Sequence, residues 1–391
     1  MTRLIPTDGE SITAGWLAEM IGAPVSDFSV TVLEGGVVSD VFRIHDVRYA
    51  SPNTDAPTSF VIKLATRSSE RRQMAISCGL YLKELNFFRV LAIQTPIRSP
   101  EVYACVDDGK ANPERFAILM EDLSHRSKVF DQVKDPPNEK DARNIALEAA
   151  KLHAHYWESD VTRLPWLGRA DGRYVFPLDA LSRSSPVSYP LFSTLWQKMY
   201  KEDLFDTERS NEATRLTQLL CGPSCDFIHD RIYDILSSRP KTLLHGDMRA
   251  DNVFRSRRSP GTAVEQSHLT FIDWQLMHVG PPGPELTEAW ISSLEPEVRR
   301  KDLAMLREYR DALVSLNPSA ESYTYEMLVE DYSLSCCFWL TTLITAGAAS
   351  LQSFDQSEGV RMQRLWEKMI TRVLTAVTEL SCLSRVEALV R

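Results

Sequence analysis

The sequence predicts an α+β chain in two unequal parts: a β-rich N-terminal part, residues 1–124, and a larger, mostly helical part, residues 125–391. Two observations predict it. Up to Asp122, short apolar runs alternate with polar residues and are punctuated by glycine or loop-forming residues, the period-two pattern of strands. Beyond Asp122 apolar residues recur at helical spacing, and only 241–273 reads as β. Unequal parts of this kind are expected to hold a ligand in the cleft between them, with a linker near 121–126.

The elements follow in order. Residues 10–21 read as a short amphipathic helix with Ile12, Trp16, Leu17 and Ile21 on one side. Val30 and Val32 begin a strand that breaks at Gly35-Gly36 and resumes at Val41, Phe42 and Ile44. Residues 51–58 are a loop by composition, and Phe60 to Ala65 is a further strand. A helix is expected over 69–91, then strands near 101–106 and 115–120. Residues 141–157 carry Ile145, Ala149, Leu152 and Tyr156 at helical spacing. Further helices are expected near 192–203, 209–237, 298–314, 322–350 and 357–390.

Composition excludes some classes. Apolar residues make up 43% and charged residues 25%, which is ordinary for a globular chain. The net charge of -9 argues against a nucleic-acid binder. The charge-free run from Tyr332 to Phe354 contains Thr341, Thr342, Thr345 and Gly347, so a buried helix is expected there rather than a membrane span. With no apolar core at the N-terminus and seven irregularly spaced cysteines, a cytoplasmic protein with reduced thiols is expected. Cys221 and Cys225 have a metal-like separation but no second pair at matching distance.

The stretch that carries chemistry is Leu243-Leu244-His245-Gly246-Asp247-Met248-Arg249-Ala250-Asp251-Asn252, followed at Phe271-Ile272-Asp273-Trp274-Gln275 by a second acidic segment. Phosphoryl transfer relies on positioning and charge neutralisation. It needs a carboxylate to orient a hydroxyl and take its proton, which Asp247 suits, and oxygen ligands for Mg²⁺, which Asn252 and Asp273 suit. The step from Asp247 to Asn252 matches the catalytic-loop spacing of protein kinases. Strands at 253–256 and 268–272 are expected to pair as a hairpin that returns Asp273 beside Asn252.

HGDMRADN followed by IDWQ resembles the signature of the aminoglycoside phosphotransferase/choline kinase superfamily, and is also similar to ecdysteroid kinase-like proteins. The resemblance runs from about residue 10 to 290, with nothing matched over 160–240. It implies a protein-kinase-like two-lobed fold and a phosphotransferase that uses ATP and Mg²⁺ on a small-molecule alcohol, with no nucleic-acid or membrane partner. Lys63, in Phe60-Val61-Ile62-Lys63-Leu64-Ala65, then holds the nucleotide phosphates; alternation puts Val61, Lys63 and Ala65 on the ligand-facing side. Glu84 is its partner, with Glu70 as the alternative. Gly35, Gly36 and Ser39 make a phosphate-covering turn, and backbone groups near Glu121 and Leu123 meet the adenine. The helix around Leu152-His153-Ala154 is similar to a packing helix of the superfamily, so His153 is expected to be a core residue.

Two positions depart from the pattern. Glu285 stands where an Asp is usual after the turn beyond IDW, and Arg249 replaces a His or Trp, bracing the loop through Asp251 or Glu285. A protein kinase would carry GxGxxG, HRD, DFG and APE, none of which is present. A silent nucleotide-binding scaffold would be expected to lack one of Lys63, Asp247, Asn252 and Asp273. The acceptor-binding residues are expected within 160–240 and 285–390.

Overall fold

The computed structural model describes residues 5–33, 38–51, 56–109, 112–169, 187–190, 207–256, 269–353 and 359–391. Gly35, Gly36 and the helix expected at 192–203 lie outside them. The chain forms two compact units. The first comprises the described residues up to Lys128, with 254–256 and 269–276; the second comprises those of 129–253 and 277–391.

In the first unit helix α1 (Ala14–Ile21) starts where the Thr13 hydroxyl accepts the Trp16 N–H, and it stops at Gly22, whose φ of 70° suits a residue without Cβ. Strands β1 (Val25–Leu33), β2 (Ser39–Tyr49), β3 (Phe60–Ala65), β4 (Val102–Asp107) and β5 (Phe116–Glu121) make an antiparallel sheet in the order β1-β2-β3-β5-β4. Strand alternation sorts its faces. Phe60, Ile62 and Leu64 of β3 are fully buried and pack with Trp16, Leu17, Phe42, Ile44, Ala117 and Leu119. Lys63 therefore points to the other face, opposite Val41 and Ile118 on the neighbouring strands.

The single helix expected over 69–91 is broken. Helix α2 (Ser69–Ser77), capped by Ser68, gives way to α3 (Leu80–Asn86) at Gly79, which takes φ 65°, and a π-helical turn follows over Phe87–Leu91. A second sheet joins β6 (Ser127–Val129), β9 (Val253–Ser256) and β10 (Leu269–Phe271), with β9 in the middle, so the hairpin expected between the last two is present.

The second unit is mostly helical. Its small sheet orders β7 (Gly168–Arg169), β11 (His278–Gly280) and β8 (Thr242–Leu244) as β7-β11-β8. Its helices are α4 (Glu139–His155), α5 (Thr207–Leu220), α6 (Cys225–Ser237), α7 (Pro282–Ile291), α8 (Pro296–Arg299), α9 (Asp302–Leu316), α10 (Tyr325–Ser353), α11 (Gly359–Glu379) and α12 (Cys382–Val390). The helix expected over 209–237 is two helices, because the turn Cys221-Gly222-Pro223 supplies a proline that cannot continue a helix. Along α10 the Ser333, Ser335 and Thr341 hydroxyls donate to carbonyls three or four residues back, so these residues are buried without stranding a donor. Among the described residues no helix is long and apolar enough to cross a membrane. None of the seven cysteines is in a disulfide.

Candidate active site

The first group is built around Lys63. Its Nζ stands 2.6 Å from Glu84 Oε2 and 2.8 Å from Asp273 Oδ1. Strand β3 aims the lysine, α3 brings Glu84, and the end of β10 brings Asp273. Burial alone would push the lysine's pKa down, but the charges of Asp273 and Glu84 outweigh it and hold the ammonium above its ordinary range. Burial raises the Glu84 carboxyl, and the Asp273 charge adds to that rise against the opposing pull of Lys63. Glu70 sits exposed on α2.

Asp273 takes a left-handed φ of 67°, unfavourable for a residue with a Cβ. Its neighbours hold it there. The Trp274 ring stacks on Phe87 with centroids 3.8 Å apart, and Trp274 Nε1 donates to the Phe271 carbonyl. The Phe271 N–H donates to the Arg98 carbonyl, and Gln275 Nε2 donates to Asp273 Oδ2 at 3.2 Å. Both carboxylate oxygens are thus oriented, one by Lys63 and one by Gln275.

The remaining residues singled out in this unit are placed as follows. Ser39 opens β2, buried, and its hydroxyl has no protein partner. Glu121 ends β5; its N–H donates to the Glu101 carbonyl and its side chain pairs with Arg98 and Arg126. Leu123 is buried and begins a 3₁₀ turn whose cap is Asp122. Asp122 is held by Ser59, Ser124 and Arg43, which together keep its carboxyl below the usual range despite burial.

The second group is the loop after β8. Gly246 turns the chain at φ 78°, and its N–H donates to Glu285 Oε1 at 2.7 Å. Asp247 follows, buried, with Arg249 Nε 3.0 Å from its Oδ1. Asp251 or Glu285 is the expected brace for Arg249; the structure places its Nε beside the Asp247 carboxylate. Asn252 Nδ2 donates to the Asp247 carbonyl at 2.9 Å, which leaves its amide oxygen as an acceptor for another group.

Glu285 reaches this loop, as its longer arm allows. Its Oε2 lies 2.7 Å from His153 Nε2, and His153 Nδ1 lies 2.7 Å from the Tyr309 hydroxyl. His153 is fully buried with both ring nitrogens partnered. Burial would raise the Glu285 carboxyl, but His153, His245 and the Gly246 N–H hold it below its ordinary value.

One residue escaped the sequence reading. Glu288, buried on α7 one turn beyond Glu285, faces the Asp247 carboxylate. Burial, followed by the charges of Asp247 and Glu285, holds its carboxyl well above the usual range. The i,i+3 spacing of Glu285 and Glu288 is the signal that places both on one helix face.

Asp273 in the first unit and Asn252 in the second each present a hard oxygen of the kind Mg²⁺ takes, and the hydrogen bonds described above orient each within its own unit.

Residues 35–320 match the model of the ecdysteroid kinase-like family. The chain belongs to that family, and its fold is a β-rich unit followed by a mostly helical one. No curated protein sequence matches it. Solved structures similar to it include the microcompartment-associated aminopropanol kinase, 14% identical over 95% of this chain and 96% of that one, with a TM-score of 0.48. They also include choline kinase from Cryptosporidium parvum, 14% identical over 93% and 94%, TM-score 0.47. Choline kinase from Streptococcus pneumoniae is 14% identical over 88% and 93%, TM-score 0.42.

Proposed function

We propose that the chain is an ATP- and Mg²⁺-dependent phosphotransferase that moves the γ-phosphate of ATP to a hydroxyl of a small molecule. The observation that carries this reading is the buried Lys63 ammonium clasped by Glu84 and Asp273. A lysine oriented by a helix glutamate is what a kinase uses on the α- and β-phosphates. Family membership and the Asp247 loop support the same reading.

In the proposed reaction Asp247 accepts a hydrogen bond from the acceptor hydroxyl and receives its proton. The hydroxyl oxygen bonds to the γ-phosphorus as the bond to the β–γ bridging oxygen breaks, and ADP leaves with that oxygen. Arg249 holds the Asp247 carboxylate in place, with Glu288 beside it. Lys63 neutralises nucleotide phosphate charge, and the Ser39 hydroxyl is available to a phosphate oxygen. Asn252 and Asp273 would hold Mg²⁺, which supplies further charge neutralisation when bound.

The test is ADP release from Mg²⁺-ATP in the presence of sugars, amino alcohols, polyhydroxylated sterols and aminoglycosides. Asp247→Asn is expected to lower turnover by about 10²–10⁴-fold, the usual worth of a general base, while the circular dichroism spectrum is retained. Asp273→Ala is expected to lose turnover comparably. Near-normal turnover in either variant overturns the reading, and ATP turnover seen only when a protein acceptor is supplied would favour a protein kinase.

A further inference from the structure

The loop from Asp247 to Asn252 is anchored by two segments outside it. The Ala250 N–H donates to Ser293 Oγ at 2.9 Å, just past the end of α7. Asp251 Oδ1 accepts the Gln132 N–H at 2.9 Å, in the turn after β6. These two anchors are themselves joined. Gln132 Nε2 donates to the Ser292 carbonyl at 3.0 Å. Arg372 of α11 forks across both, with Nη1 2.7 Å from the Ser292 carbonyl and Nη2 2.8 Å from the Gln132 carbonyl. Its charge is met by Glu295, 3.1 Å from Nη2. Arg372 is 1% exposed, and Gln132 and Ser293 are fully buried. From the same helix Arg361 lies 3.5 Å from both Asp131 and Asp251, a weaker, half-exposed tie to the same two segments.

We propose that Arg372 is a positioning residue: its guanidinium fork fixes the separation of the two segments that hold the Asp247–Asn252 loop, and so makes helix α11 part of the catalytic apparatus. The proposal rests on the phosphotransferase reading above. The planar, five-donor fork is the reason arginine stands there, since it satisfies two carbonyls and a carboxylate in one plane. Helix α11 lies beyond residues 35–320, the span matched by the family model, so nothing in that match assigns it this task. A merely structural arginine behaves differently. Replacing a buried ion by an apolar residue of similar size costs stability without touching the geometry of one particular loop.

The experiment compares the full-length chain with Arg372→Met, Arg372→Lys and Arg361→Ala, using turnover with the best acceptor and amide hydrogen exchange. Arg372→Met is expected to lower kcat by about 10²-fold, the effect of misplacing a reacting group by about an ångström, with KM for ATP unchanged. Exchange at Ala250, Asn252 and Gln132 is expected to accelerate while exchange in the β1–β5 sheet is unchanged. Arg372→Lys should recover part of kcat, and Arg361→Ala should reproduce the effect weakly. If Arg372→Met does not fold, the other two variants carry the same readouts. Unchanged kcat together with unchanged exchange over 249–252 overturns the proposal. Should the wild-type chain turn over no acceptor, the phosphotransferase reading fails, and exchange over 249–252 alone still decides whether Arg372 positions the loop.

Discussion

Lys63 Nζ lies 2.8 Å from Asp273 Oδ1, although 210 residues separate the two in the chain. With Glu84 on its other side, the lysine completes a triad of one cation and two carboxylates, in which Lys63 and Glu84 are buried and Asp273 is 23% exposed. The ammonium is what makes the Glu84 carboxylate tolerable in the interior.

Lys63→Met therefore leaves two neighbouring carboxylates uncompensated. The variant is expected to lose about 3–5 kcal/mol of stability, the usual cost of breaking a buried ion pair from one side. Urea unfolding monitored by Trp fluorescence measures it, and an unchanged midpoint would show the triad to be energetically idle. ATP affinity is expected to fall in the same variant.

Burial and the charges of Asp247 and Glu285 hold the Glu288 carboxyl well above its usual range, which favours its neutral form, so an amide is the conservative replacement. Glu288→Gln is expected to keep turnover close to wild type, because it keeps an uncharged polar group beside Asp247. Glu288→Leu removes that polar group and is expected to slow turnover about tenfold, the worth of one hydrogen bond at the base. Steady-state rates of the pair separate these outcomes; equal losses would mean that a negative charge at 288 is what matters.

Glu285 sets an acid limb. Its folded-state pKa lies below the ordinary 4.5. Its contribution to stability is therefore fully present above about pH 4.5 and is lost as pH falls through the depressed value. Glu285→Gln is expected to be less stable at pH 7, and its stability should fall less steeply between pH 5 and 3. Denaturation midpoints across that range provide the check.

Gly283 admits α10 close to α7. A Cβ built there would meet Asp331 Cβ at 2.5 Å and the Asp331–Tyr332 backbone at 3.0 Å. Gly283→Ala is expected to cost about 1–3 kcal/mol through overpacking and to disturb the helix that carries Glu285 and Glu288. A thermal scan of the variant tests this; a wild-type Tm would mean that the two helices separate freely.

Much of the fold was legible along the chain. Alternation in Phe60 to Ala65 was enough to separate the buried Phe60, Ile62 and Leu64 from Lys63. Proline at 223 and glycine at 79 mark the breaks that divided two of the expected helices, but periodicity carried across both, because apolar spacing reports a face and not continuity. Arg249 shows the opposite limit. It contacts Asp247, two residues away, where spacing points to Asp251 and Glu285, because a side chain's direction in a loop follows from φ and ψ rather than from spacing.

By itself the sequence determined the α+β order of elements, the face on which Lys63 stands and the spacing of Asp247, Asn252 and Asp273, all of which follow from local rules of period, turn and motif. Tertiary structure alone decided which glutamate meets Lys63, that Glu288 stands beside Asp247, and that Arg372, 120 residues beyond Asn252, ties down the segments around the loop. The physical reason is desolvation. A buried charge is strongly biased by whichever group folding brings within about 3 Å, and that neighbour is chosen by packing, which sequence distance does not record.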